Sequence, residues 1–399
     1  MPQLHGQSLS RREFQQRVGH SRQVFGVRLL ELADGAERGV RVLEFRTGSG
    51  LMFSVLVDRS MDIGDFDYRG VPFAWHSATG FRQPQLINAM DEGGSGFMRG
   101  FSGLWCTCGL DHIRQPDASS AEHFDLPLRA ELRYPMHGRG AFQPCVLNGY
   151  GERWEGDECW LWAEGTLSQT QVLGEYLRLV RRIEVQAGGS EIYITDTVSN
   201  EGFNATPHML LYHINLGWPL LDEGARFVAP VTGILAANMS PQTQQAGYRQ
   251  QSGPRSRFVQ QVFDLAYQAD EQGQVPVALV NDRLSLGFAY TFDSNVFPCL
   301  QQWQGFGEGV YGFGIEPATS HWGSRADAMR KSEIVWLAHG DTRIYRSRIA
   351  VLDDQTAIAA HEARVAQITA QLLDEFAPRL AQPPGGPFVE QVTTQVRRT

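Results

Sequence analysis

Lysine is nearly missing: Lys331 is the only one, and arginine supplies the rest of the 35 basic side chains. That excludes a phosphate-binding G-x-x-x-x-G-K-[ST] loop and leaves hardly any candidate for Schiff-base chemistry. No apolar run reaches the roughly 18 residues of a membrane-spanning helix. The opening "MPQLHGQSLSRREFQQRVG" lacks the apolar stretch of a signal peptide, so a cytoplasmic protein is expected. Cysteine is sparse and odd in number (Cys106, Cys108, Cys145, Cys159, Cys299), and the Cys106-x-Cys108 spacing suits neither a zinc ribbon nor a thioredoxin motif. These read as reduced thiols filling small core positions. The net charge of −9 argues against nucleic acid or an anionic membrane as partner.

What is present is a period of two. In "EYLRLVRRIEVQ" (175–186), Leu177, Leu179, Arg181, Ile183 and Val185 share one face, and a Gly188-Gly189 turn leads into a second strand, "EIYITDTVS". Similar short runs occur at 41–75, 158–170, 226–232, 256–265, 277–281, 284–292, 310–316 and 332–351. Many short strands with close turns predict an all-β protein built as a large antiparallel sandwich or barrel. Helical spacing is confined to 8–17, opened by Ser8 or Ser10, and to 353–377, where Ile358, Val365, Ile368, Leu372 and Leu373 recur behind Asp353 and Asp354 as candidate caps. The expected organisation is an N-terminal arm (1–25), one β-domain (26–352) and a C-terminal helix with an extended tail (353–399). That last segment could form a homodimer contact. Residues 238–256, rich in glutamine, read as a surface loop.

Four stretches could carry chemistry. "TPHMLLYHINLGWP" (206–219) is a hydrophobic strand that spends two imidazoles, His208 and His213. Residues five apart on a regular strand face opposite sides, so the two should not share a site. His213, beside Asn215 and the strand-ending Gly217, is better placed at a cleft. In "VYGFGIEPATSHWGSRADA" (310–328), Glu316 ends a glycine-rich apolar strand, and partial desolvation there suits a general base. "MHGRG" (136–140) presents His137 and Arg139 on a glycine-flanked turn. "LVDRSMDIGDFDYRG" (56–70) crowds Arg59, Asp62, Asp65 and Asp67 into ion-paired turns, and lacks the closing acidic residue of a calcium loop. Among nine tryptophans, Trp75, Trp105, Trp218, Trp303 and Trp322 adjoin glycine or a candidate residue, a pattern compatible with a sugar platform as well as with core packing.

Together these residues resemble the galactose mutarotase (aldose 1-epimerase) superfamily. "TDTVSNEGFNATPHMLLYHINL" is similar to that family's "VTN" turn followed by "ATPVNLTNHTYFNL", and the alignment sets His213, not His208, on the catalytic histidine. "GIEP" resembles the "LEPQ" glutamate at Glu316, "SRADA" echoes its sequel, and "MHGR" resembles an "HGG" turn at His137. The aromatic pair after the histidine and the N-terminal "GRYANRI" motif are missing, with "LVDRSMDIGDFDYRG" in that region. These departures resemble the bacterial DUF4432 branch.

The resemblance implies a galactose-mutarotase-like β-supersandwich that needs no metal or cofactor and acts on a small sugar or sugar derivative. It implies Glu316 as base on the anomeric hydroxyl, His213 as acid on the ring oxygen, and His137 as the third catalytic residue. Arg139, Asp62, Arg59, Asn215, Trp75 and His208 are the expected substrate contacts. Alternatives are an isomerase, epimerase or lyase acting on an unusual or anionic sugar, and a non-catalytic carbohydrate binder.

Overall fold

The computed structural model describes residues 2–238 and 247–380, the last ten of them as backbone. Three antiparallel sheets dominate. Gly26–Glu31, Arg41–Arg46, Leu51–Leu56, Asp62–Tyr68 and Val71–Pro72 form a five-stranded meander. An eight-stranded sheet runs in the order Val146–Glu155, Glu158–Thr170, Tyr176–Gln186, Glu191–Asn200, Thr342–Leu352, Leu286–Asp293, Gln274–Asn281, Arg226–Val228. The seven-stranded sheet that carries the site runs Val231–Ala237, Gln261–Tyr267, Cys299–Gly307, Val310–Ala318, Thr206–Gly217, Val335–Leu337, with Trp105–Leu110 also paired to Thr206–Gly217.

Burial follows the chemistry of each strand. Glu158–Thr170 alternates buried and accessible residues, as a strand with one solvated face must. Thr206–Gly217 is buried at every position because both of its faces are covered. Its even-numbered side chains enter the main core, where Leu210, Tyr212, Ile214 and Leu216 join residues from Leu4 to Val351. Met209 and Leu211 point the other way. They meet a second cluster contributed by the long connection between the meander and the later strands, including Phe97, Phe101, Ile113 and Phe142.

Arg181, which the alternation places among leucines, is indeed fully buried in the core. It donates to both carboxylate oxygens of Asp196 (2.8 and 2.6 Å) and to Asp62 Oδ1 (2.9 Å). Two carboxylates and the faces of Trp105 and Tyr212 compensate a guanidinium that could not otherwise be desolvated.

The first helix is Arg11–Arg17, and Ser10 caps it reciprocally with Glu13. The C-terminal helix, Gln355–Leu380, buries Ile358, Val365 and Ile368. Asp354 is its cap, accepting from the Ala357 N–H (2.7 Å), whereas Asp353 accepts from the Tyr68 hydroxyl (2.7 Å). The expected Leu372 and Leu373 contacts, the extended tail and residues 239–246 of the glutamine-rich loop lie outside what is described. One short helix was not anticipated: Arg325–Arg330, capped by Ser324, arises from "SRADA". No helix among the described residues is long and apolar enough to cross a membrane.

Candidate active site

Register builds the site. On the His213 strand, Leu211 pairs with Ala318 and Ile214 with Ile315, which sets Glu316 opposite His213. On the next strand Gln301 pairs with Glu316, and beyond it Asp264 pairs with Gln301. On the other side Cys106 pairs with His213. Directly opposed residues of antiparallel strands point to the same face. Asp264, Gln301, Glu316, His213 and Cys106 therefore form one row across the sheet, turned toward the long connection.

Within that row His213 Nε2 lies 3.2 Å from Glu316 Oε1, and each side chain is only 5–6% exposed. Gly314 makes the room: a Cβ there would stand 3.1 Å from His213 Cε1, 3.2 Å from Glu316 Oε1 and 2.9 Å from Trp303 Cβ. Phe101 meets the His213 ring edge-on at 4.7 Å and Trp303 does so at 5.6 Å. Trp75 packs on both Phe101 and Trp303, closing an aromatic wall.

His137 arrives from the long connection with a backbone φ of 57°, a conformation that few non-glycine residues hold without cause. Its N–H donates to the Arg114 carbonyl (2.6 Å) and its own carbonyl accepts from the Gly109 N–H (2.9 Å). Gly138 permits this approach, since a Cβ there would sit 2.3 Å from the Gly109 oxygen. The His137 ring stands 5.8 Å from that of His213, nearly perpendicular to it.

Burial holds His213 below the ordinary histidine value, with Glu316 opposing. Burial, then the neighbouring His213 and Arg114, holds His137 well below it, so His137 is a neutral hydrogen-bonding group. Burial pushes the Cys106 thiol up to about 12, which rules it out as a thiolate nucleophile at neutral pH. All five cysteines are buried and free.

Of the expected substrate contacts, two stand here. Asn215 shares the His213 face, and its Oδ1 is buried without a hydrogen-bond partner among the described residues. Trp75 forms part of the wall. Three others, His208, Asp62 and Arg139, are bonded elsewhere, and Arg59 is satisfied only in part. His208 faces the core, where its Nδ1 donates to the Leu110 carbonyl (2.7 Å) and its Nε2 accepts from the Tyr345 hydroxyl (2.6 Å). Asp62 is consumed by Arg181 and by the Thr107 hydroxyl and N–H (2.5 and 3.0 Å). Arg59 is buried beside the Phe142 ring and donates one terminal nitrogen to the Gly100 carbonyl, while its Nε and other terminal nitrogen are buried without a hydrogen-bond partner among the described residues. Arg139 is held by Asp111 (3.4 Å) and the Arg133 carbonyl (2.8 Å). His208, Asp62 and Arg139 share one reason: a polar side chain next to a site in sequence satisfies itself with the nearest buried partner.

The sequence reading missed a second polar group. Arg114 is buried, donates to Gln301 Oε1 (2.7 Å) and to the Ser320 carbonyl, and lies over Trp322. Asp264 accepts from His321 Nδ1 (3.1 Å) and the Trp322 N–H (2.9 Å), and this bond raises the His321 pKa. A period-two scan of "PCLQQWQ" (298–304) marks Gln301 as an inward polar residue and could have found it. Arg114 follows no such pattern.

The architecture is that of galactose-mutarotase-like proteins. The fold is similar over nearly the whole chain to that of a protein from Klebsiella pneumoniae subsp. pneumoniae provisionally named an aldose 1-epimerase: 23% identity, 88% of this chain and 90% of that one covered, TM-score 0.80. A galactose mutarotase-like protein from Clostridium acetobutylicum matches at 12% identity, 82% and 99% coverage and TM-score 0.54. Slr1438 from Synechocystis sp. PCC 6803 matches at 15% identity, 76% and 92% coverage and TM-score 0.51. Such identities speak for the fold alone. Residues 37–351 match the profile of DUF4432, a domain of unknown function, and the chain belongs to that family. No curated protein matches.

Proposed function

We propose that the protein is a sugar mutarotase, or a closely related epimerase, that works by acid–base ring opening. The observation that carries this reading is the direct, desolvated contact between His213 and Glu316 on one sheet face. A sugar would replace that contact with two hydrogen bonds, one at each end. Glu316 takes the proton of the anomeric hydroxyl as the C1–O5 bond breaks. The electron pair passes to O5, which takes a proton from protonated His213, leaving a C1 aldehyde. Rotation about C1–C2 and the reverse transfers close the other anomer. His137, neutral and fixed by its turn, is suited to donate to oxygen at C1 as charge develops. Asn215 Oδ1 can accept from a sugar hydroxyl, and the Trp75 wall excludes water.

Exchange NMR on a panel of aldoses, ketoses, uronates and sugar phosphates tests this. Accelerated anomer exchange for one class, reduced about 10²–10⁴-fold in both His213→Ala and Glu316→Gln, is the expected result. Acceleration that survives both substitutions, or none for any sugar, overturns it.

A further inference from the structure

Trp75, part of the aromatic wall beside the His213–Glu316 pair, also lines an open groove of about 510 Å³ at the rim where the His213 strand ends, and neither His213 nor Glu316 lines that groove. It falls in the range of small-molecule sites, roughly 300–1,000 Å³. Its walls combine Trp218, Tyr311 and Trp75 with Asp65, Asp67 and His76.

Two features need an explanation that the fold does not supply. Trp218 is 65% exposed, although it directly follows a strand buried at every position. Indole is costly to leave in water and is typical of surfaces that receive a ligand with one apolar face. Asp67 is half-buried, yet its carboxylate has no hydrogen bond or ion pair to a side chain among the described residues. Its neighbour Asp65 accepts from the Ser54 hydroxyl (2.7 Å) and lies 3.4 Å from His76 Nε2. The strand Asp62–Tyr68 alternates, so Asp65 and Asp67 leave it on the face opposite Phe66 and Tyr68. Both carboxylates can therefore reach the groove.

We propose that this groove is a saccharide-binding site for neutral sugars, distinct from the His213–Glu316 pair and separated from it by Trp75 and Phe101. An exposed indole offers a stacking face to the C–H side of a pyranose, and Asp65 and Asp67 accept from its hydroxyls. The charge selects the class. The lining holds no arginine or lysine, and two adjacent carboxylates repel uronates and sugar phosphates. The site does not depend on the mutarotase reading, because binding here requires neither His213 nor Glu316.

Saturation-transfer NMR and titration of tryptophan fluorescence test it on the full chain, with methyl glucosides, methyl galactosides and neutral disaccharides as probes. Methyl glycosides have locked anomers, so binding is read without turnover. Binding is expected in wild type and in His213→Ala, weakened at least fivefold in Trp218→Ala and in Asp67→Asn. Glucuronate and glucose 6-phosphate should bind at least fivefold more weakly than neutral probes. Trp218 is exposed and Asp67 bonds no side chain, so both variants should fold, as circular dichroism would verify. Binding lost in His213→Ala but kept in Trp218→Ala places the sugar at the proposed catalytic pair and overturns the inference. So does the absence of binding by every neutral probe, while anionic sugars that bind equally well overturn the assigned class.

Discussion

His208 and His213 leave one strand in opposite directions: His208 is hydrogen-bonded between Leu110 and Tyr345 in the core, and His213 touches Glu316 on the other face. Sheet parity alone separates their duties. The first is a hydrogen-bonded core group, and the second is the proposed acid.

His208 should make the protein acid-labile. A carbonyl can only accept, so Nδ1 carries the hydrogen and Nε2 receives the Tyr345 hydroxyl, which describes a neutral ring. Burial lowers its pKa to about 4. A depressed folded-state value means that the unfolded chain binds the proton first. The stabilisation is therefore complete above the ordinary value and is lost as pH falls from there through about 4. The shift corresponds to roughly 3 kcal/mol. His112 and His361, also lowered to about 4, act in the same window. Urea midpoints should drop between pH 7 and pH 4, and less steeply in His208→Gln than in wild type. Equal slopes would remove His208 from the account.

Activity should follow His213 in a related way. The proposed acid must be protonated, and burial holds its pKa below the ordinary value. The alkaline limb of kcat/KM for anomer exchange is therefore expected below about pH 6.5. A limb above pH 7 would assign the proton donor to another group.

Gly314→Ala should damage the pair without unfolding the sheet. The added methyl meets Trp303, His213 and Glu316 at 2.9–3.2 Å. Overpacking of this kind costs about 1–3 kcal/mol. Exchange activity is expected to fall by at least tenfold while circular dichroism stays that of wild type. Unchanged activity would show that the contact between His213 and Glu316 is not needed.

Asp62→Ala tests the corrected role of Asp62. It removes one of the two carboxylates that Arg181 holds and leaves the Thr107 donors unpaired between the sheets, for about 3–5 kcal/mol of lost stability. The urea midpoint should fall while KM is retained. A raised KM with stability intact would return Asp62 to substrate binding.

Much of the fold was legible because a two-residue alternation is a local property. Leu177 to Val185 declare a strand without reference to any other segment, and Ser8 or Ser10 marks a helix start, of which the structure uses Ser10. The same locality separated His208 from His213 and marked Glu316 as a desolvated carboxylate on a glycine-rich apolar strand. The partners of charged residues were not legible. Asp62 and Arg59 read as ion-paired turn residues and substrate contacts, yet Asp62 lies between two sheets because Arg181, more than a hundred residues later, meets it there. Arg114 and Asp264 carry no motif and were found only by position.

The sequence by itself determined many of the strands and their apolar faces, and that His213 and Glu316 are unusual polar residues on such strands, whereas Trp105–Leu110 and Cys299–Gly307 were not read from it. Only the tertiary structure decided that the two face one another. Strand pairing sets Glu316 opposite His213, and a shift of one residue would turn Glu316 to the other face. That register is fixed by the sum of distant contacts across the whole sheet, which no single segment encodes.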